Sequence, residues 1–309
     1  MSLTVIRGTT KSDPRGLQRR IDPKLLRWRP PVQSNPTIVT VPQGFYSGSF
    51  GPTEDVIFNW PASVRFSEFI STGGRHLRII GGASTKGAGG SAIQITACSG
   101  SVFLEGLAID TSAASIDAIN ACGSGDGSAT LQPDMYIQNC RIVGVNGANA
   151  GVHADVFQAQ GAIKNLYIDN VTLSSNYQGI SIFQSQFPFV SGFLSRINGF
   201  YTAVAGDPFT SLMWNMDQAT HAPYFPVDLD QIYFVPRSTQ SLSDCAWPQP
   251  GITNSDGIAI GGILSPDGTK LSWPAINNTQ GFVSLGPPPG GDFVPSSFSG
   301  INYVSPGYR

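Results

Sequence analysis

Short runs of alternating apolar and polar residues recur along the middle of the chain. The clearest are Val102-Phe-Leu-Glu-Gly-Leu-Ala-Ile, Met135-Tyr-Ile-Gln-Asn-Cys-Arg-Ile and Leu166-Tyr-Ile-Asp-Asn-Val-Thr-Leu, with weaker copies starting at Leu77, Gly192 and Leu212. A two-residue period places alternate side chains on opposite faces of a strand. Aligning the copies on their central apolar residue gives Phe58, Ile80, Leu104, Ile137, Ile168, Leu194 and Met213, in steps of 19 to 33 residues. Steps of that size suit the coils of a β-solenoid, each coil pairing its backbone with the coils above and below. A β-sandwich would instead show hairpin turns about every 8–12 residues. The expected fold is therefore all-β: a right-handed, single-stranded parallel β-helix over residues 37–220.

A second aligned set lies between these strands. Ser115-Ile-Asp-Ala-Ile-Asn-Ala matches His153-Ala-Asp-Val-Phe-Gln-Ala in residue type, and Asn176-Tyr-Gln-Gly-Ile-Ser-Ile continues it. With Ile119, Phe157 and Ile180 stacked inward, Asp117, Asp155 and Gln178 fall in one column. Asn120, Gln158 and Ser181 fall in another, and Ser115, His153 and Asn176 in a third. A one-residue slip would turn every side chain to the other face. Asn139 and Asn170 share a position just after the first strand of their coils, as in a stacked asparagine ladder at a corner. The longer steps predict loops on one edge, such as the Gly-rich stretch from Cys122 to Gly127.

Composition agrees with this picture. Charged residues make up 12% of the chain, Gly numbers 36 and Pro 23, against a usual charged fraction of about 25%. No long stretch carries a clean 3.6-residue period, and 40% hydrophobic residues argue against disorder in the middle of the chain. No apolar stretch reaches the roughly 20 residues of a membrane-spanning helix, and no signal peptide is recognised at the N-terminus. Four cysteines, Cys98, Cys122, Cys140 and Cys245, follow no metal-binding spacing and are expected to be reduced.

Charge is unevenly placed. Residues 1–30 hold eight basic residues (Arg7, Lys11, Arg15, Arg19, Arg20, Lys24, Arg27 and Arg29) against Asp13 and Asp22, a local +6 in a chain of net −2. A basic arm on an acidic body suggests contact with another molecule. Leu25, Leu26, Trp28, Pro30 and Pro31 lie among these charges and can dock. Residues 1–36 are read as an extended attachment arm, with Arg15, Arg19, Arg20, Arg27, Trp28 and Arg29 as its partner-binding residues. Nucleic acid is a poor candidate, because the body shows no aromatic–basic interleaving. Residues 221–309 are Pro- and Gly-rich, with a turn expected at Pro266-Asp-Gly. They are read as an irregular cap followed by a tail lying on the helix or on a neighbouring subunit, since an open last rung leaves unpaired strand edges.

The coil pattern, and above all His153-Ala-Asp155-Val-Phe-Gln158 followed by Asn176-Tyr-Gln-Gly, resembles the pectate-lyase-like parallel β-helix superfamily. The superfamily includes lyases, hydrolases and inactive virion proteins, so fold alone does not assign activity. Asp117, Asp155 and His153 are the candidate catalytic residues, with Gln158, Asn176, Tyr177 and Gln178 as candidate carbohydrate-binding neighbours. Adjacent rungs lie about 4.8 Å apart, close to the carboxylate separation of retaining glycosidases, and paired carboxylates push their pKa values apart. His153 is suited to shuttle a proton. The same oxygens suit a cation, but lyase chemistry also needs a base, and Arg141, Lys164 and Arg196 fall outside the column. Equally, Asp155 can cap a turn, and polar ladders stack on β-helices without catalysis. Phe183, Phe187 and Phe189 are further aromatics suited to stack on sugar rings or to anchor a loop.

The resemblance is strongest to virion-associated members of the superfamily. It implies a tailed-phage spike or fibre protein, a homotrimer, that resides in the virion after assembly in the host cytoplasm. Its arm would hold other virion proteins, and its body would bind host surface polysaccharide or decorate the particle. The alternative is a polysaccharide depolymerase, a hydrolase before a lyase, using the stacked aspartates. No cofactor is expected.

Overall fold

The computed structural model describes residues 25–85, 90–122, 130–148, 151–182, 189–202, 211–215, 225–276 and 279–309. The described chain is essentially all-β, and its single assigned helix is the short 3-10 turn Leu242–Cys245. Its strands pair in long parallel stacks, giving an elongated solenoid-type architecture. No helix among the described residues is long and apolar enough to cross a membrane.

Three stacks run up the molecule. The first begins with Thr37–Thr40, Val56–Asn59, His76–Ile80 and Ser101–Glu105. It continues through the first halves of the long strands Asp134–Val145, Asn165–Ser175, Ser191–Tyr201 and Val227–Val235. The second takes Ala83–Ser84, Ala108–Asp110, the second halves of the same long strands, and Val283–Leu285. The third runs through Gly44–Phe50, Arg65–Gly73, Ser91–Thr96, Asp117–Cys122, Phe157–Ala159, Ile180–Ser181, Met213–Trp214 and Ala246–Trp247. Among the named strands, only Ile263–Leu264, Lys270–Ser272 and Val283–Leu285 pair antiparallel.

The alternation buries apolar columns along the stacks. Phe58, Ile79, Leu104, Ile137, Ile168, Leu194 and Leu229 follow one another in register in the first. Ile93, Ile119, Phe157, Ile180, Met213 and Ala246 do so in the third. All are at most 6% exposed, and each large apolar side chain so buried contributes roughly 1.5–3 kcal/mol. Two members differ from the sequence alignment. Ile79 rather than Ile80 is the buried partner, because two adjacent isoleucines carry no alternation and the corner at Gly81 sets the register. Met213 belongs to the third stack, and Leu229 takes the first-stack place. Its strand, Val-Asp-Leu-Asp-Gln-Ile-Tyr-Phe-Val, carries the stacking on past residue 220.

From Gly81 onward, the corner between the first and second stacks holds a left-handed residue at the same place in six successive coils. Gly81 (φ 74), Gly106 (φ 70), Asn139 (φ 53), Asn170 (φ 57), Arg196 (φ 47) and Gln231 (φ 59) occupy it in succession. Glycine and asparagine adopt this region readily, whereas other residues there cost roughly 1–2 kcal/mol. Asn170 Nδ2 donates to Asn139 Oδ1 at 2.6 Å, which forms the expected ladder. Arg196 is offset by a bidentate pair with the fully buried Asp169, through Nε at 2.8 Å and a short Nη2 contact.

Both ends of the described chain strap onto the first stack. Leu26 is fully buried, accepts from the Arg309 N–H at 3.0 Å and donates to Gly307 at 2.9 Å. The tail is pinned by Glu105, a buried carboxyl that accepts from the Tyr303 and Tyr308 hydroxyls at 2.8 Å each. Burial raises both phenol pKa values, that of Tyr308 to about 12. The turn expected at Pro266 is present: Gly268 N–H donates to Ser265 at 2.8 Å, with Gly268 at φ 73. Cys98, Cys140 and Cys245 are buried free thiols, and burial raises their pKa to about 11, 12 and 12.

Candidate functional site

The second aligned set forms the polar edge of the third stack. Ile119, Phe157 and Ile180 pair in register, as do Asn120, Gln158 and Ser181. Asp117 and Asp155 therefore occupy equivalent positions two residues before the inward Ile119 and Phe157. This is the register expected from the sequence.

The carboxyls are brought together inside the wall. Asp117 Oδ1 accepts the Asp155 backbone N–H at 2.9 Å. Its Oδ2 accepts Asn120 Nδ2 at 3.1 Å, and that amide also reaches Gln158 Oε1 at 3.1 Å. Asp155 is 0% exposed and Asp117 7%. The Ser181 hydroxyl donates to Asp155 Oδ1 in a short hydrogen bond. Gln178, with its amide nitrogen inward, lies 3.2 Å from both Asp155 oxygens. Burial raises the Asp155 pKa well above the usual carboxylate range, the Ser181 bond opposes this, and the Asp117 charge adds to it. Burial likewise raises Asp117, against the Asp155 N–H and Asn120.

The other expected site residues lie around this pair. Tyr177 is only 2% exposed and packs 5.5 Å from the His153 ring, which lies at the surface. Asn176 accepts from the Gly147 N–H at 2.9 Å and donates to Asn146 at 2.7 Å. Gln158 is half-buried and also accepts from Gln160 Nε2 at 2.9 Å. Phe189 stacks on Phe225 at 4.9 Å, while Phe183 and Phe187 lie outside the described residues.

Of the arm residues, Arg27 and Trp28 pack on the chain's own body. Arg27 donates to Asp230 at 3.0 Å and Ser195 at 3.2 Å, with its guanidinium 4.6 Å above Phe193. Trp28 contacts Tyr136, Tyr167 and Phe193 at centroid distances of 6.1, 5.1 and 5.7 Å. Arg29 is exposed, and Arg15, Arg19 and Arg20 lie outside the described residues. The sequence reading missed Ser181 as the hydroxyl partner of Asp155, although Ser181 stands in the second polar column. It also missed Glu105 and Gln138, which receive Tyr303, Tyr308 and the Trp28 backbone. Their outward position in the strand pattern was visible, but not their partners, which lie 110 to 203 residues away in the chain.

Comparison with known proteins finds no matching protein-family model, no matching curated protein and no matching solved structure.

Proposed function

We propose that the chain is a right-handed parallel β-helix of the virion spike or fibre type, a trimeric shaft that binds surface polysaccharide without cleaving it. The observation that carries the non-catalytic part is the burial of Asp155. A glycosidase needs both carboxyls at the scissile bond, and here Asp155 has no exposed surface and is engaged by Ser181 and Gln178. The column acts as a structural ladder that satisfies buried polar groups. The strap made by Arg27, Trp28 and the C-terminal tail supports the shaft reading, because it ties successive rungs of one face together. The basic charge of residues 1–24 supports attachment to an acidic partner.

Depolymerisation is the second reading, favoured by one observation: both carboxyls have raised pKa values, as a general acid requires. Release of reducing ends from a panel of surface polysaccharides separates the two. Binding without release by folded wild type is expected. Release by wild type that disappears in Asp155→Asn would overturn the non-catalytic reading. Sedimentation of the full chain as a monomer would remove the trimer.

A further inference from the structure

We propose that the cleft between the coil corner and the C-terminal tail is a binding site for an uncharged oligosaccharide. This rests on the polysaccharide-binding reading above and names the site for it, away from the Asp117–Asp155 column.

The cleft encloses about 780 Å³, within the usual range for ligand pockets. Its floor is the corner column of Asn139, Asn170, Arg196 and Gln231. With one residue per rung, the floor spans about 14 Å along the stack. The floor ends where the column changes chemistry. At Gly106 the Tyr303 ring occupies the place of a side chain, since a Cβ there would meet it at 2.2 Å. Gly300 N–H donates to the Gly106 carbonyl at 2.7 Å. The glycine rungs thus let the tail cross the corner, and the rungs with side chains are left to face a ligand.

The tail also forms the walls, and they are held in place. On one side Asp292 accepts from Arg141 at 2.8 Å and Asn198 at 3.0 Å, while Val294 N–H donates to Thr172 at 2.9 Å. On the other, Tyr303 donates to Glu105 at 2.8 Å and accepts from Asn139 at 2.9 Å. A preformed cleft loses less entropy on binding than one that must be ordered.

The chemistry selects the ligand class. Among the described lining residues Arg196 is balanced by Asp169 and Asp292 by Arg141, so the lining itself offers no unbalanced charge to an anionic ligand. The amides of Asn170 and Gln231 offer both donors and acceptors to hydroxyl groups. Phe298 and Val304, 58% and 82% exposed at the rim, offer apolar surface to the C–H faces of sugar rings. A peptide adding as a β-strand would need a strand edge to join, and this floor consists of side chains on left-handed residues.

The test uses the full-length protein on an array of defined neutral and acidic oligosaccharides. Phe298→Ala and Gln231→Ala change exposed cleft residues, and Phe45→Ala changes an exposed aromatic on the first rungs. Equal thermal midpoints check that all three are folded. Wild type is expected to bind neutral glycans, with at least a tenfold loss in the two cleft variants and none in Phe45→Ala. Neutral-glycan binding that survives both cleft variants would overturn this site and leave the glycan-binding reading standing. Binding only to acidic glycans would overturn the ligand class. Absence of any glycan binding would overturn both readings.

Discussion

Two polar columns climb the stack, one at the edge of the third stack through Asp117, Asp155 and Gln178, the other at the corner through Asn139, Asn170, Arg196 and Gln231. The same repeat builds both, with one polar residue per coil held about 4.8 Å from the next. Their surroundings differ. Asp155 is closed in by Ser181 and Gln178, whereas the corner column opens onto a cleft because the tail crosses it at the glycine rungs. A ladder of like residues therefore says little about function until the groups covering it are known. The column with the more suggestive chemistry is the one sealed into the wall.

The sharpest way to break this comparison is to unbalance the corner. Arg196→Ala would leave Asp169, which is fully buried, without its partner. A loss of about 3–5 kcal/mol is expected from denaturant midpoints, and Arg196→Lys should rescue it poorly because a lysine cannot reproduce the bidentate geometry. A change below about 0.5 kcal/mol would show that the pair is not coupled to folding.

At the sealed column the expected effects are smaller and depend on the substituent. Asp155→Ala leaves Ser181 and Gln178 unpaired and should cost about 2–4 kcal/mol. Asp155→Asn keeps the size of the side chain and a polar group for Ser181 and Gln178, and should cost less. Equal losses in the two variants would show that the polar partners of Asp155 do not set its contribution to stability. Next, Trp28→Ala removes three aromatic contacts and should cost about 2–3 kcal/mol, with faster amide exchange at Leu26 and Arg309. Unchanged exchange there would separate the strap from Trp28.

The smallest effect is on pH dependence. Asp155 has a raised folded pKa, so its contribution is fully present below the unfolded value of about 3.9 and is lost as pH rises toward the raised one. Asp55 behaves oppositely. The Arg75 guanidinium, at 2.7 and 2.8 Å, lowers it to about 2, so its contribution is present above about 3.9 and is lost as pH falls. Asp155→Asn should remove only the loss on the alkaline side, and Asp55→Asn only the loss on the acid side. Stability curves unchanged by either substitution would remove both assignments.

The strand pattern made much of the wall legible. The copies at Val102, Met135 and Leu166 alternate cleanly, and the structure pairs them as aligned. The match between Ser115–Ala121 and His153–Ala159 was strong enough to set the register of Asp117 and Asp155. Legibility failed where alternation was weak, as at Ile79–Ile80, and where a two-residue strand imitated a longer one, as at Met213. It failed most for the straps. Arg27 meets Asp230, and Tyr303 and Tyr308 meet Glu105, across separations of 198 to 203 residues. Such contacts leave no periodic trace in the segments that make them. The corner cleft was hidden for the same reason: its ladder was readable at Asn139 and Asn170, but the tail that makes it a cleft was not.

Whether the Asp155 carboxyl is sealed into the wall is tested most directly by its ¹³C shift as pH is raised, assigned against Asp155→Asn. A sealed Asp155 requires the signal to stay at the protonated position through about pH 4–5, where exposed aspartates ionise. Ionisation alongside those aspartates would contradict the sealed column.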